Sequence, residues 1–146
     1  LQWSGDYTDG RRSGRWTATN DEEVVVEEGE YVDGLREGIW TSYSAPETKA
    51  WSGRYEQGLR QGDWTYWNDA GQKSSQGRYR DDQREGIWNE WDDKGARREG
   101  EYVHGERHGR WQWWDEFGEL NQAWAPLYDR GKMIGVFRHG KLTSIN

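Results

Sequence analysis

Two histidines, two pairs of acids and a row of arginines are the residues whose types and spacing could do chemistry. His104 and His108 stand four apart, a spacing that on a helix would present two metal donors on one face. Asp92-Asp93 and Asp115-Glu116 resemble the carboxylate pairs that share general-acid and general-base work. Arg12, Arg36, Arg60, Arg84 and Arg107 recur at almost constant intervals. A row of guanidiniums suits carboxylate or phosphate recognition. His139 stands alone, and the chain has no cysteine to act as nucleophile or to form a disulfide. It also lacks a Gly-x-Ser-x-Gly elbow and any phosphate-cradling glycine loop that leads into a helix.

The elements that would carry these groups are repeats. Tyrosine falls at Tyr7, Tyr31, Tyr55, Tyr79, Tyr102 and Tyr128, in steps of 24, 24, 24, 23 and 26 residues. Nine residues after each comes Trp16, Trp40, Trp64, Trp88, Trp111 or Phe137. A fixed period in the twenties is the mark of a repeat array. The glycine three after the tyrosine follows Asp, Gln or His in most copies, and such a step favours the positive φ of a tight hairpin turn. Tyrosine therefore lies on a strand entering the turn, and tryptophan on the strand returning from it. A second turn follows at Asn68-Asp69-Ala70-Gly71, Asp92-Asp93-Lys94-Gly95 and Asp115-Glu116-Phe117-Gly118.

The expected fold is all-β: an elongated, single-layer, twisted antiparallel sheet of about six stacked hairpins. The whole chain, 1–146, forms one repeat domain, with units near 1–24, 25–48, 49–72, 73–95, 96–121 and 122–146. Because side chains alternate along a strand, Gly-x-Tyr and Gly-x-Trp put rings and bare glycines on one face. A ring can then cover the glycine of a neighbouring hairpin. A second aromatic, three after the tryptophan, is Tyr43, Trp67, Trp91 or Trp114, and an odd offset sends it to the opposite face. Val24-Val25-Val26 reads as the incoming strand of unit two, with a docking strip for a basic partner as the alternative. Pro126 in the last unit, lacking a ladder donor, reads as an edge-closing residue.

Leu, Ile, Val and Phe make only 18 of 146 residues and the net charge is −7, a composition that by itself points to disorder. The 12 Trp and 8 Tyr override it, because they are placed periodically and rings bury large areas. The acidic balance argues against nucleic acid. No stretch approaches the roughly 18 apolar residues of a membrane span. A chain starting at Leu1 reads as processed or trimmed, so the bacterial cytoplasm and, after loss of a signal, the periplasm or cell surface all stand as compartments.

The units resemble the MORN repeat in its bacterial variant form. The runs at 29–40 (Gly-Glu-Tyr-Val-Asp-Gly-Leu-Arg-Glu-Gly-Ile-Trp) and 100–111 (Gly-Glu-Tyr-Val-His-Gly-Glu-Arg-His-Gly-Arg-Trp) carry the likeness, with Trp-x-x-Trp-Asp-x-x-Gly at 111–118. The resemblance implies stacked hairpins and a scaffold that binds proteins; some members are linked to lipids and bacterial variants are often labelled antitoxins. The abundance of Trp, where the family more often has Tyr or Phe, is a departure.

On this frame the histidines and acid pairs become turn residues, and neither an enzyme nor a cofactor is expected. The expected function is a non-catalytic binding or scaffold module that contacts another protein through an aromatic and arginine-lined sheet face. The candidate contact residues are Tyr43, Trp67, Trp91 and Trp114 with Arg36, Arg60, Arg84 and Arg107. A glycan stacked on exposed Trp rings is the alternative. The charge of −7 sets lipid headgroups third. The arginines have two readings: packing on the aromatic stripe, with neighbours such as Glu37 and Glu85, or an anion-recognition strip. The stripe Trp40, Trp64, Trp88 and Trp111 is expected to be buried.

Overall fold

At each tyrosine-to-tryptophan turn, two successive residues adopt positive φ, as at Asp33 and Gly34 (50° and 82°). This is the two-residue hairpin turn whose twist matches the flanking strands. Repeated along the chain, it builds a structure of strands and turns. The structure, a computed structural model, describes residues 1–144. Its strands are β1 (Gln2–Thr8), β2 (Arg11–Thr19), β3 (Val25–Val32), β4 (Leu35–Ala45), β5 (Thr48–Glu56), β6 (Leu59–Trp67), β7 (Lys73–Arg80), β8 (Gln83–Trp91), β9 (Arg97–Val103), β10 (Glu106–Trp114), β11 (Ala125–Asp129), β12 (Lys132–Arg138) and β13 (Lys141–Ser144). They lie in one open antiparallel sheet in chain order, with β1 and β13 at its edges. The described residues contain no helix, so none long and apolar enough to cross a membrane. The expected hairpins are present, and Val25 and Val26 begin β3, the incoming strand of the second.

The chain divides into two compact units: Leu1–Lys73 with Tyr79–Asp82, and Ser74–Arg78 with the chain from Gln83 onward. The core of the first holds Trp16, Trp40 and Trp64 with Tyr31, Tyr79 and Ala18. That of the second holds Trp88, Trp111, Tyr102, Ala125 and Val136.

Simple alternation does not explain how the rings seat. In the β1–β2 hairpin Asp6 lies opposite Ser13, but Ser4 lies opposite Thr17, so two extra residues bulge from β2. Gly14, with φ of 67°, begins the bulge, and the same glycine recurs at positive φ two before each buried tryptophan. The bulge swings the tryptophan across the strand pair onto the glycine of its own hairpin rather than that of a neighbour. A Cβ built on Gly29, Gly53 or Gly100 would overlap the ring of Trp40, Trp64 or Trp111 respectively. The interrupted ladder leaves a carbonyl that the indole takes up. Trp40 Nε1–H donates to Glu30 O at 2.9 Å, and Trp16, Trp64 and Trp88 make the equivalent bond ten residues back at 3.0 Å. Trp111 Nε1 and Trp113 Nε1 are buried and find no acceptor among the described residues.

Pro126 does not lie at an edge. It sits fully buried in β11, between β10 and β12, and β13 pairs on the far side of β12 to form the exposed edge. Its missing donor falls where the β10–β11 ladder, made by Gly109 with Tyr128 and Arg110 with Leu127, has already ended.

Candidate functional site

The tryptophan, tyrosine and arginine of each hairpin meet on one face. Trp40, Trp64, Trp88 and Trp111 are at most 1% exposed, as the sequence pattern predicts for a buried stripe. In the first unit each ring is held edge-on by tyrosines: Trp16 by Tyr7 and Tyr31, Trp64 by Tyr55 and Tyr79, with centroids 5.2–5.8 Å apart. Arginine guanidiniums then cover the tryptophan faces. Arg12 Cζ lies 4.4 Å from the Trp16 ring centre, Arg36 4.1 Å from Trp40, Arg84 4.3 Å from Trp88 and Arg107 4.7 Å from Trp111. Arg12 and Arg84, and Arg60 whose Cζ lies 4.3 Å from the Tyr79 ring centre, donate to the hydroxyls of Tyr31, Tyr102 and Tyr79 respectively in the next hairpin at 3.1–3.2 Å. Cation–π packing and the hydrogen bond share one side chain, so the arginine row is built into the fold as well as facing solvent.

The acids that neutralise this row are not Glu37 and Glu85. Those two accept backbone N–H groups from the next hairpin turn, Gln57 at 2.8 Å and His104 at 3.1 Å. Arg36 pairs instead with Glu27, Arg60 with Asp82, and Arg84, Arg98 and Arg107 with the single carboxylate of Glu90. Glu90 also accepts from Tyr102 Oη at 2.8 Å. These carboxylates come from three different positions in the repeat, so no period betrays them.

Within the first unit this face opens into a groove of about 540 Å3, lined by Arg36, Trp51, Tyr55, Arg60, Trp64, Tyr66 and Asp82. Trp51 stacks on Trp64 with ring centres 5.3 Å apart. Tyr66 and Tyr79 share a hydroxyl hydrogen bond of 2.8 Å, and burial together with that bond pushes the Tyr66 phenol well above its usual range. The sequence missed Trp51 and Tyr66 as contact residues. Both obey the alternation rule, Trp51 two before Gly53 and Tyr66 two after Trp64, and that offset is the signal that could have found them.

The opposite-face aromatics are half-buried and stand apart. Tyr43 Oη donates to Glu28 at 2.8 Å, and Glu28 is paired with Arg15 at 2.7 Å. Lys49 Nζ lies 5.8 Å from the Trp67 ring centre. Arg97 Cζ covers Trp114 at 3.8 Å. Trp91 lines a cavity of about 280 Å3 with Arg97, Arg98 and Trp113. Of the sequence candidates, Arg36 and Arg60 are brought together in the groove, and Arg84 and Arg107 on the carboxylate of Glu90. Tyr43 and Trp67 belong to the first compact unit, and Trp91, Trp114, Arg84 and Arg107 to the second.

The acid pairs serve turns. Asp92 Oδ1 accepts from Lys94 and Ala96 N–H, and Asp115 Oδ1 from Phe117 and Glu119 N–H, at 2.9–3.0 Å. His104 sits at the hairpin turn and His108 is 3.8 Å from Asp129. Among the described residues no three His, Cys, Asp or Glu side chains gather as metal donors.

Two carboxylates carry a pH dependence. Hydrogen bonds from Tyr43, and then from Arg15, hold Glu28 below its ordinary range despite burial. Burial pushes Asp82 up, but bonds from the Arg60 guanidinium and backbone outweigh it and hold the group below its ordinary range. A folded pKa below the unfolded one means stability that is complete above the unfolded value, about 4 for a carboxylate, and is lost as pH falls through the folded value. The melting temperature is expected to fall as the pH drops below about 4, and Asp82→Asn should shrink that fall while lowering the neutral-pH value. An unchanged acid limb in Asp82→Asn would remove Asp82 from the account.

Compared with models of known protein families, the chain matches none, and no curated protein sequence matches it.

Proposed function

We propose that this chain is a non-catalytic binding module that docks another protein on its tryptophan–tyrosine–arginine face, as the resemblance to MORN scaffolds also implies. The observation that carries the reading is the open groove of the first unit, where Trp51, Tyr55 and Tyr66 stay half exposed beside Arg36 and Arg60. Trp, Tyr and Arg are the side chains that dominate interface energetics, because each combines large apolar area with a polar tip. The guanidiniums are prepositioned by the rings beneath them, so little side-chain entropy remains to be lost on docking.

The glycan alternative needs open ring faces. The stripe offers none, and cations lie over Trp67 and Trp114. Trp91, which lines a cavity and among the described residues has no ring or cation stacked on it, is the observation that keeps this second reading.

The test is binding by a purified partner recovered from the native host by crosslinking. Arg36→Gln combined with Trp51→Ser should weaken binding by roughly tenfold or more, and Trp91→Ala should leave it unchanged. Melting temperatures of all variants control for misfolding. Undiminished binding by the double variant would overturn the reading. Saturable quenching of Trp fluorescence by a soluble polysaccharide, lost in Trp91→Ala, would replace it with the glycan.

A further inference from the structure

One link between hairpins carries a side chain that its turn does not call for. The same turn recurs at Asn20, Asn68, Asp92 and Asp115. In each, the side-chain oxygen of the first residue accepts the N–H groups two and four residues on, at 2.9–3.1 Å. The fourth residue, Glu23, Gly71, Gly95 or Gly118, holds positive φ. The third stands at the tip and is Glu22, Ala70, Lys94 or Phe117. Tips that are small or charged close the same turn, so the turn does not require an aromatic.

Phe117 is 82% exposed. A lone exposed apolar side chain needs no explanation, but this one is held in place. Asp115 N–H bonds to Glu119 O at 2.9 Å and Gly118 N–H to Asp115 O at 3.0 Å, in addition to the two bonds that Asp115 Oδ1 accepts. A ring on a fixed turn loses little freedom when a partner covers it. Around it Asp115, Glu116 and Glu119 are exposed. The tip therefore presents an aromatic ring among carboxylates.

The groove of the first unit is its converse. The walls are the half-exposed rings of Trp51, Tyr55 and Tyr66, and the lining sets the guanidiniums of Arg36 and Arg60 against the carboxylate of Asp82. Its volume of about 540 Å3 admits a benzyl ring. Edge-to-face contact with these rings, and pairing of the flanking acids with the two arginines, are the interactions that such a tip finds there.

We infer that the Phe117 tip of one copy of this chain docks into the groove of a second copy, with Phe117 against Trp51 and Tyr66 and with Glu116 and Glu119 at Arg36 and Arg60. The inference rests on the reading of the groove as a protein-binding surface and names one occupant of it. Tip and groove are different surfaces, so the contact is heterologous, and copies associate head to tail into chains or a closed ring. The net charge of −7 repels copies at long range, so the attraction is confined to the contact. Self-docking then competes with any other protein for the groove.

The experiment is sedimentation velocity of the full chain over a concentration series at about 0.15 M ionic strength. The weight-average sedimentation coefficient of the parent should rise with concentration. Phe117→Ala should weaken association roughly tenfold or more and leave the melting temperature unchanged, since Ala70 fills the same place in the same turn. Arg36→Gln combined with Trp51→Ser should weaken association as much. The first variant keeps an intact groove and the second an intact tip. Mixed in equal amounts, they should form a one-to-one pair and go no further. If the doubly substituted groove does not fold, the mixing is run with Trp51→Ser alone. A parent that stays monomeric throughout the series, association undiminished in Phe117→Ala, or variants that remain apart when mixed would each overturn the inference. Association lost in Phe117→Ala but kept by the groove variant would move the tip to another surface and overturn it as well. A monomeric parent whose native partner is still released by Arg36→Gln with Trp51→Ser would sink self-docking and leave the protein-binding reading standing. Indifference of both the native partner and self-association to that groove variant would remove both.

Discussion

Gly53→Ala is expected to lower stability by about 3 kcal/mol, near the top of the usual cost of overpacking. The added methyl would sit inside the Trp64 ring. That ring cannot retreat, because Trp51 stacks on it at 5.3 Å and Tyr55 and Tyr79 meet its edges at 5.2 and 5.5 Å. The backbone cannot retreat easily either, since Gly53 is paired with both Trp40 and Trp64 across its two ladders. Gly71→Ala is the control. It has open space around it and a φ of 78°, so it bears only the strain of a left-handed residue, about 1–2 kcal/mol. Urea unfolding of the two variants measures the difference. Equal losses would mean that the ring does not seat on the glycine.

Trp64→Ala is expected to cost about 3–5 kcal/mol, the range for removing a buried Trp. The ring is 1% exposed. Its loss would also strip the donor from the Arg54 carbonyl, now bonded at 3.0 Å. Trp64→Phe should cost less, by keeping most of the apolar volume while still orphaning that carbonyl. Because contacts run mainly between adjacent hairpins, the loss should appear first as hydrogen exchange in β5 and β6. A Trp64→Ala protein that melts like its parent would show the stripe to be dispensable.

The array was legible because its signals are periodic. Rings, turn glycines and arginines recur at fixed offsets, and the Asp-Gly or His-Gly step names the turn type. The two-residue bulge was not legible. Gly-x-Trp reads equally well as plain alternation, and only the positive φ of Gly14 and its counterparts separates the two. The acids that neutralise the arginines escaped for a related reason. Glu27, Asp82 and Glu90 reach the same kind of place from different repeat positions, so each had to be seen in space. The groove is not announced by the aromatic that recurs three after the tryptophan. The residues that line it, Trp51 and Tyr66, sit at even offsets on the stripe's own face. Pro126 was misread because β13 adds a strand beyond it, and nothing periodic announces that strand.

The turn glycines make one more connection. Gly34 N–H donates to Arg12 O, Gly58 N–H to Arg36 O and Asp82 N–H to Arg60 O, at 2.9–3.0 Å. Each turn is thus clasped to the strand of the hairpin before it. The clasp spans 22 residues in each case, so it closes a short loop, and its entropic cost is small once the preceding hairpin exists. Assembly then favours a zipper order in which a formed hairpin templates the next, and few contacts await distant parts of the chain. The same arrangement makes the register self-correcting. A hairpin that docked two residues out of step would keep its ladder alternation but lose its clasp, its tyrosine–arginine bond and its ring-on-glycine seat together.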